Sequence, residues 1–226
     1  KYFMLPGGEQ AIHEPWRCAT SLLREACGEA WQEMAGRLGL APEKSFYPLI
    51  EKSMRQGINT PYTSSLGRLF DAVAALLGLR GRVSFEGQAA MELEAAAAQK
   101  THLLMPYNIL EENGMLLLDF IPALRALVEK RLALYPREEL AAGFHGTLCH
   151  AFTEMAGKIR EQTGLGRIVL SGGCFQNRKL LEGCVAAMGQ AGFEVFTHHL
   201  VPTNDGGIAL GQAVIAGTRM KKNSSQ

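Results

Sequence analysis

The chain has 226 residues, 47% of them apolar and 20% charged, with a formal net charge of +1. That bulk supports one sizeable core, or two small ones sharing a hinge. The balanced charge argues against a nucleic-acid glove, which gathers Lys and Arg on one face, and no stretch reaches the roughly 20 apolar residues that cross a bilayer.

The opening Lys1-Tyr2-Phe3-Met4-Leu5-Pro6-Gly7-Gly8 has no signal-peptide core and no initiating Met, which reads as a fragment or trimmed chain of a soluble, cytoplasmic protein. The first hundred residues read as helices punctuated by Gly and Pro. Glu14-Pro15 starts one, since proline suits a first turn, and the spacing puts Trp16, Leu22, Leu23 and Ala26 near one face before Gly28. Glu29–Leu38 and Pro42–Met54 follow, stopped by Gly39 and Gly57. A polar loop from Asn59 to Ser65 runs into an apolar helix, Leu66–Leu77, closed by Gly78. Arg82–Gly87 is a short turn before a helix over Gln88–Gln99.

The character changes at Tyr107–Phe120, where Asn113-Gly114 between two apolar runs is a strong hairpin signal. Pro122–Leu134 returns to helix, and Arg137–Gln162 is a long helical stretch weakened by Gly143, Gly146 and Gly157. Arg167–Leu170 reads as a buried strand, Ser171-Gly172-Gly173 as a tight turn, Cys174–Gln190 as a helix and Phe193–Thr197 as a second strand. The loop Val201–Gly207 leads into a closing helix, Ile208–Ala216, and Arg219, Lys221 and Lys222 lie in a solvated tail. A strand–helix–strand–helix ending implies a parallel pair with a right-handed crossover, so the class is α/β with a large helical portion. The five cysteines, odd in number and without a C-x-x-C, read as reduced thiols in or near the core.

Three segments carry chemistry. In Ser171-Gly172-Gly173-Cys174-Phe175-Gln176-Asn177, the two glycines let a ligand approach the backbone, and Gln176 and Asn177 offer the amide groups that read an adenine or ribose. The plainer alternative is a tight turn with polar caps. In Val201–Gly207, Asp205 beside two glycines suits a metal ion next to a phosphate; the plainer alternative is a helix cap, which Asp does well. Asp71 and Glu86 are candidates for ribose hydroxyls, against the simpler expectation that Arg68 and Asp71 form a surface ion pair three residues apart. The histidines form no set: His145 and His150, five apart on a helix, diverge, and His198 and His199 are adjacent and face opposite sides of a strand end. No catalytic nucleophile follows from residue order.

Five motifs in order resemble one family: Leu5-Pro6-Gly7-Gly8 with Glu14-Pro15-Trp16-Arg17; Thr63 through Gly78; Phe85 through Glu94; Leu170-Ser171-Gly172-Gly173 with Phe175-Gln176-Asn177-Arg178; and Asn204-Asp205-Gly206-Gly207 with Ala209 through Ala213. They are similar to the C-terminal, Kae1-like part of the HypF carbamoyltransferases of nickel–iron hydrogenase maturation. That resemblance implies an actin, Hsp70 and sugar-kinase type of fold, with this chain as the second RNase H-like lobe and its large helical insertions. Residues 1–135 would be mainly helical insertion with a hairpin near 107–120, 136–220 the nucleotide-binding α/β lobe, and 221–226 a tail. It implies Gly172, Gly173 and Asn177 at the adenosine, with Gln176 beside them in the nucleotide-binding set, Gly67 and Asp71 near the ribose or phosphates, Glu86 and Gly87 at the same site, and Asp205 as ligand to a divalent metal. The implied reaction takes carbamoyl-adenylate, made from carbamoyl phosphate and ATP, and carbamoylates the C-terminal cysteine of a HypE-like partner. Two departures stand out: the histidine pair of the family's first lobe is not in these residues, and neither are the regions before that lobe. Arg68 stands where tRNA-modifying relatives carry an acid, which favours the HypF side of the resemblance. A sugar-kinase-like phosphotransferase and a non-catalytic nucleotide-binding or interaction module remain the alternatives.

Overall fold

The computed structural model describes residues 1–98 and 101–223. Helices dominate the first two thirds. A short strand β1 (Phe3–Met4) pairs antiparallel with β2 (Tyr62–Thr63), tying the N-terminal segment to the entrance of a helix. Between them run α1 (Gln10–His13), α2 (Pro15–Cys27), α3 (Trp31–Leu38) and α4 (Phe46–Gln56). α2 begins at Pro15 and buries Trp16, Leu22, Leu23 and Ala26, as the spacing requires. Two boundaries move from expectation. Gly28–Ala30 forms a separate 3-10 turn before α3, and α4 starts at Phe46, because Phe46 and Tyr47 N–H groups bond back to Glu43 and Lys44 in a turn.

α5 (Leu66–Leu76) packs along α2 and is buried over almost its whole length. Then come α6 (Gln88–Ala96), the hairpin β3 (Asn108–Glu112) and β4 (Met115–Asp119), and α7 (Ile121–Leu132). The expected end of α6 at Gln99 lies outside the described residues. Asn113 and Gly114 take φ of 52° and 75°, the left-handed pair that a two-residue hairpin turn demands.

α8 (Arg137–Thr163) is the spine, in contact with α6, α7 and the helix that follows it. Its Gly143 and Gly146 are explained by an extended strap. Leu103 crosses at Gly143, where an added Cβ would lie 2.9 Å from the Leu103 side chain and 3.0 Å from its carbonyl oxygen, and Leu104 crosses Gly146. The Met105 N–H donates to Thr147 Oγ1 at 2.9 Å, and the Tyr107 hydroxyl sits between His150 Nδ1 and the Glu154 carboxylate. The glycines give up helix propensity to admit this backbone. Replacing Gly143 by valine is expected to lift the strap and lower stability by about 1–3 kcal/mol, as overpacking does, read in a urea titration of the chain.

The last part is α/β. β5 (Arg167–Val169) and β6 (Glu194–Phe196) pair in parallel, Arg167 opposite Glu194 and Val169 opposite Phe196, with α9 (Arg178–Gln190) as the crossover. Two expectations are corrected here. The stretch after the first strand divides into a 3-10 turn, Gly173–Gln176, and α9, because the Asn177 side chain caps Leu180 N–H and restarts the helix. The strand is also not buried: Val169 is 67% exposed, since β6 is its only partner strand among the described residues. A second 3-10 turn, Asp205–Gly207, opens α10 (Ile208–Asn223), which runs beyond the expected Ala216 and exposes Ile208, Leu210, Val214 and Ile215. All five cysteines are free, with Cys18, Cys149 and Cys184 buried. Among the described residues no helix is long and apolar enough to cross a membrane.

Candidate functional site

Three backbone segments meet at the carboxyl edge of the parallel pair. The first is the start of α5, where Ser65 Oγ accepts from Arg68 N–H and Gly67 lies against the Cys174 thiol, 3.9 Å from where its Cβ would be. The second is the Ser171–Gln176 turn. The third is the loop before α10: Gly172 N–H donates to Thr203 O at 2.9 Å, and Thr203 Oγ1 donates back to Gly172 O at 3.1 Å. Gly173 faces Asn204, whose Cβ would lie 3.9 Å from its own. The two glycine loops therefore stand side by side, with Gly172 and Asp205 exposed.

Gly172 needs its missing side chain for its backbone. It has φ 107° and ψ 156°, a conformation that L residues rarely adopt, while an added Cβ would meet nothing within 4 Å. Asp205 is not the cap of its turn; Asn204 takes that role by accepting from Gly206 N–H at 3.0 Å. Gly87 begins α6 with φ 82°, and the exposed Glu86 beside it lies near enough for its charge to raise the Asp71 carboxyl's proton affinity. Gln176 is exposed at the end of the 3-10 turn.

Asp71 and Arg68 do pair, at 2.9 Å, but not on the surface: their side chains are only 3% and 11% exposed. α2 covers this face of α5, which the three-residue spacing alone does not reveal. Burial pushes the Asp71 carboxyl up to about 6, outweighing the pull of Arg68. Asp71 thus lies beneath the surface, supporting the start of α5 from below.

Asn177 is held on both sides. Its Oδ1 accepts from Leu180 N–H at 2.9 Å, which leaves Nδ2 facing His145 Nε2 at 3.0 Å. His145 Nδ1 lies 2.8 Å from the Ala141 carbonyl, an acceptor, so Nδ1 carries the proton and Nε2 accepts from Asn177. Glu94 of α6 completes the arrangement: its Oε1 accepts from the N–H groups of Arg178 and Lys179 at 2.7 and 3.3 Å. The first N–H groups of α9 are thereby occupied by internal partners, and an anion bound by the glycine turn must use other donors. Neither His145 nor Glu94 could be singled out by sequence, because their partners lie 32 and 84 residues away.

Burial lowers the proton affinity of His145. The fold therefore gains from its neutral ring above the ordinary imidazole value of about 6.5 and loses that gain as pH falls through the depressed one. Asp71 runs the other way, favouring the fold as it becomes protonated below about 6. The comparison that isolates the ring is with His145→Gln. The variant is expected to be less stable than the parent by about 1–3 kcal/mol at pH 7.5, and the gap should narrow by pH 5 in parallel urea titrations.

Residues 1–212 match the family model described as "Carbamoyltransferase, Kae1-like Domain, second subdomain". The chain belongs to the HypF carbamoyltransferase family. It is 38% identical over 216 residues to carbamoyltransferase HypF of Rhizobium leguminosarum bv. viciae, covering 94% of this chain and 26% of that protein. To a HypF homolog of Cupriavidus necator it is 33% identical, covering 94% and 55%. The fold resembles full-length HypF solved in its phosphate- and nucleotide-bound form, with TM-score 0.88 and 40% identity over 97% of this chain and 28% of that one. T. kodakarensis HypF superposes with TM-score 0.80 at 26% identity, covering 98% of this chain and 30% of that one. The chain spans about a quarter of the length of most HypF relatives it matches.

A metal site is not complete in these residues. Among the described residues no group of three or more His, Cys, Asp or Glu gathers to hold an ion. Asp205 offers one exposed carboxylate and belongs to no such group, so no chemical step is derived through a metal.

Proposed function

We propose that this chain is the nucleotide-binding second lobe of a HypF-type carbamoyltransferase of the actin, Hsp70 and sugar-kinase type. Residues 1–135 are the mainly helical insertion and 136–220 the nucleotide-binding α/β part. The observation that carries the reading is the meeting of Gly67, the Gly172-Gly173 turn and the Asp205 loop on one edge. A relative of the same fold solved with nucleotide and phosphate bound supports it. In a protein of the relatives' length, the substrate is carbamoyl-adenylate formed from carbamoyl phosphate and ATP, and the acceptor is the C-terminal cysteine of a HypE-like partner in cytoplasmic hydrogenase maturation.

The chemistry asks little of this lobe beyond binding. As the partner's sulfur attacks the carbamoyl carbon, a C–S bond forms, the C–O bond to the phosphate breaks, AMP leaves with the electron pair and the thiol proton is lost. Exposed backbone at Gly172 and Gly173 holds the adenosine, Gly67 keeps the start of α5 clear of side-chain bulk, and Glu86 and Gln176 line the approach. Asp71 and Asn177 act from beneath by fixing α5 and α9. Asp205 faces the phosphate end, where it would be one ligand to a divalent metal whose others come from elsewhere. The nucleophile belongs to the partner.

The test is nucleotide-induced stabilisation of the 226-residue chain. A ligand at 100 times its dissociation constant adds about 2.7 kcal/mol, so ATP, ADP or AMP at millimolar concentration should raise the melting temperature. No shift with any of them, in a chain that folds, refutes the reading. The isolated chain is expected to bind weakly and to transfer no carbamoyl group.

A further inference from the structure

One pair of side chains beside the glycine turn is exposed and joins the ends of the two parallel strands. Ser171 follows β5 and His198 follows β6, and their Oγ and Nε2 atoms lie 2.9 Å apart. Because the two strands run parallel and in register, both residues emerge at the same carboxyl edge, the edge where open α/β sheets receive ligands. Both are exposed, so no buried polar group is being satisfied.

The frame around the pair is fixed. The residue after Ser171 is Gly172, whose N–H and C=O are both bonded to Thr203, and the space above its Cα is open. A hydroxyl and an imidazole held side by side at such a place form a two-donor unit. With no ligand, one of them donates to the other. Beside an anionic oxygen, the Ser171 O–H and the His198 N–H can both turn to it, exchanging one neutral hydrogen bond for two charge-assisted ones. The helix start that would otherwise attract a phosphate is already occupied by Glu94. The nearby Asp205 carboxylate repels a phosphate that carries no cation, which makes donors at this edge more necessary.

We infer that Ser171 and His198 form a phosphate clamp that makes this lobe select a nucleoside monophosphate over the bare nucleoside. This deepens the nucleotide-binding reading and rests on it. A hydrogen bond to a charged group contributes about 1.5–3 kcal/mol, so the pair should favour AMP over adenosine by about tenfold or more.

The experiment is calorimetric or ligand-observed NMR titration of the chain with AMP, adenosine and inorganic phosphate, with and without Mg2+. His198→Gln and Ser171→Ala should each weaken AMP roughly tenfold while leaving adenosine within about twofold. Both positions are exposed, and an unchanged melting temperature verifies that the variants fold. If the ratio of AMP to adenosine affinity is the same in the variants as in the parent, the clamp is wrong while nucleoside binding stands. If variants lose AMP and adenosine alike, the pair supports the nucleoside site and is no clamp. If the parent binds neither compound, the nucleotide reading fails and the clamp with it.

Discussion

Arg68→Ala is expected to destabilise the chain by about 3–5 kcal/mol, the cost of leaving a buried charge without its partner. Arg68 and Asp71 are 2.9 Å apart and nearly enclosed, so the alanine variant strands a carboxylate under α2. The size of the loss should depend on pH. Burial holds the Asp71 carboxyl up at about 6 even with Arg68 present, and removing the guanidinium raises it further. The folded state then binds a proton that the unfolded chain releases above its ordinary value of 3.8. The stability contributed by protonated Asp71 is complete below that value and is lost as pH rises through the folded one. The Arg68→Ala deficit should therefore be largest at pH 7.5 and much smaller near pH 5. Adding Asp71→Asn removes the charge and should recover more than half the loss at pH 7.5. An Arg68→Ala deficit equal at both pH values, or no recovery in the double variant, would show that Arg68 acts through packing of its stem.

The same pair marks the boundary of what sequence makes visible. Residues three apart on a helix face each other, so the ion pair is legible in Arg68-Leu69-Phe70-Asp71. Its burial is not, because that depends on α2, fifty residues upstream, lying along α5. The hairpin was legible for the opposite reason: Asn113-Gly114 carries its geometry locally. Gly143 and Gly146 read as weaknesses in α8 because the strap that occupies their space, Leu103 and Leu104, is a separate segment. Arg167–Leu170 read as buried from its apolar run, yet Val169 is open, since composition reports a residue's preference and not whether a neighbour is there to cover it. At the candidate site the glycines and Asp205 were visible as types. The invisible part was the use of Glu94 and His145 to satisfy the α9 start and the Asn177 amide, which leaves the turn, not the helix end, open for the proposed nucleotide.

That opening makes Gly172 the position where a single change should do most to binding. An L residue at φ 107° is strained by about 1–3 kcal/mol whatever its size, and at Gly172 nothing within 4 Å obstructs the side chain itself. Gly172→Val should therefore fold with reduced stability while its branched side chain occupies the open space over the turn, the space assigned to the nucleotide. Nucleotide-induced stabilisation is expected to vanish. Strain alone does not predict that, and Gly164→Val separates the two. Gly164 closes α8 at φ 74°, with nothing within 4 Å of an added Cβ, and precedes the amino end of β5, whereas the glycine turn follows its carboxyl end. It should also lose stability, and keep its response to AMP. If Gly172→Val still gains melting temperature with AMP as the parent does, the ligand does not lie over this turn. If Gly164→Val loses the response as well, destabilisation is the cause and the turn is not implicated. Only the divided outcome, both variants strained and only Gly172→Val unresponsive, assigns the nucleotide to the face of Gly172.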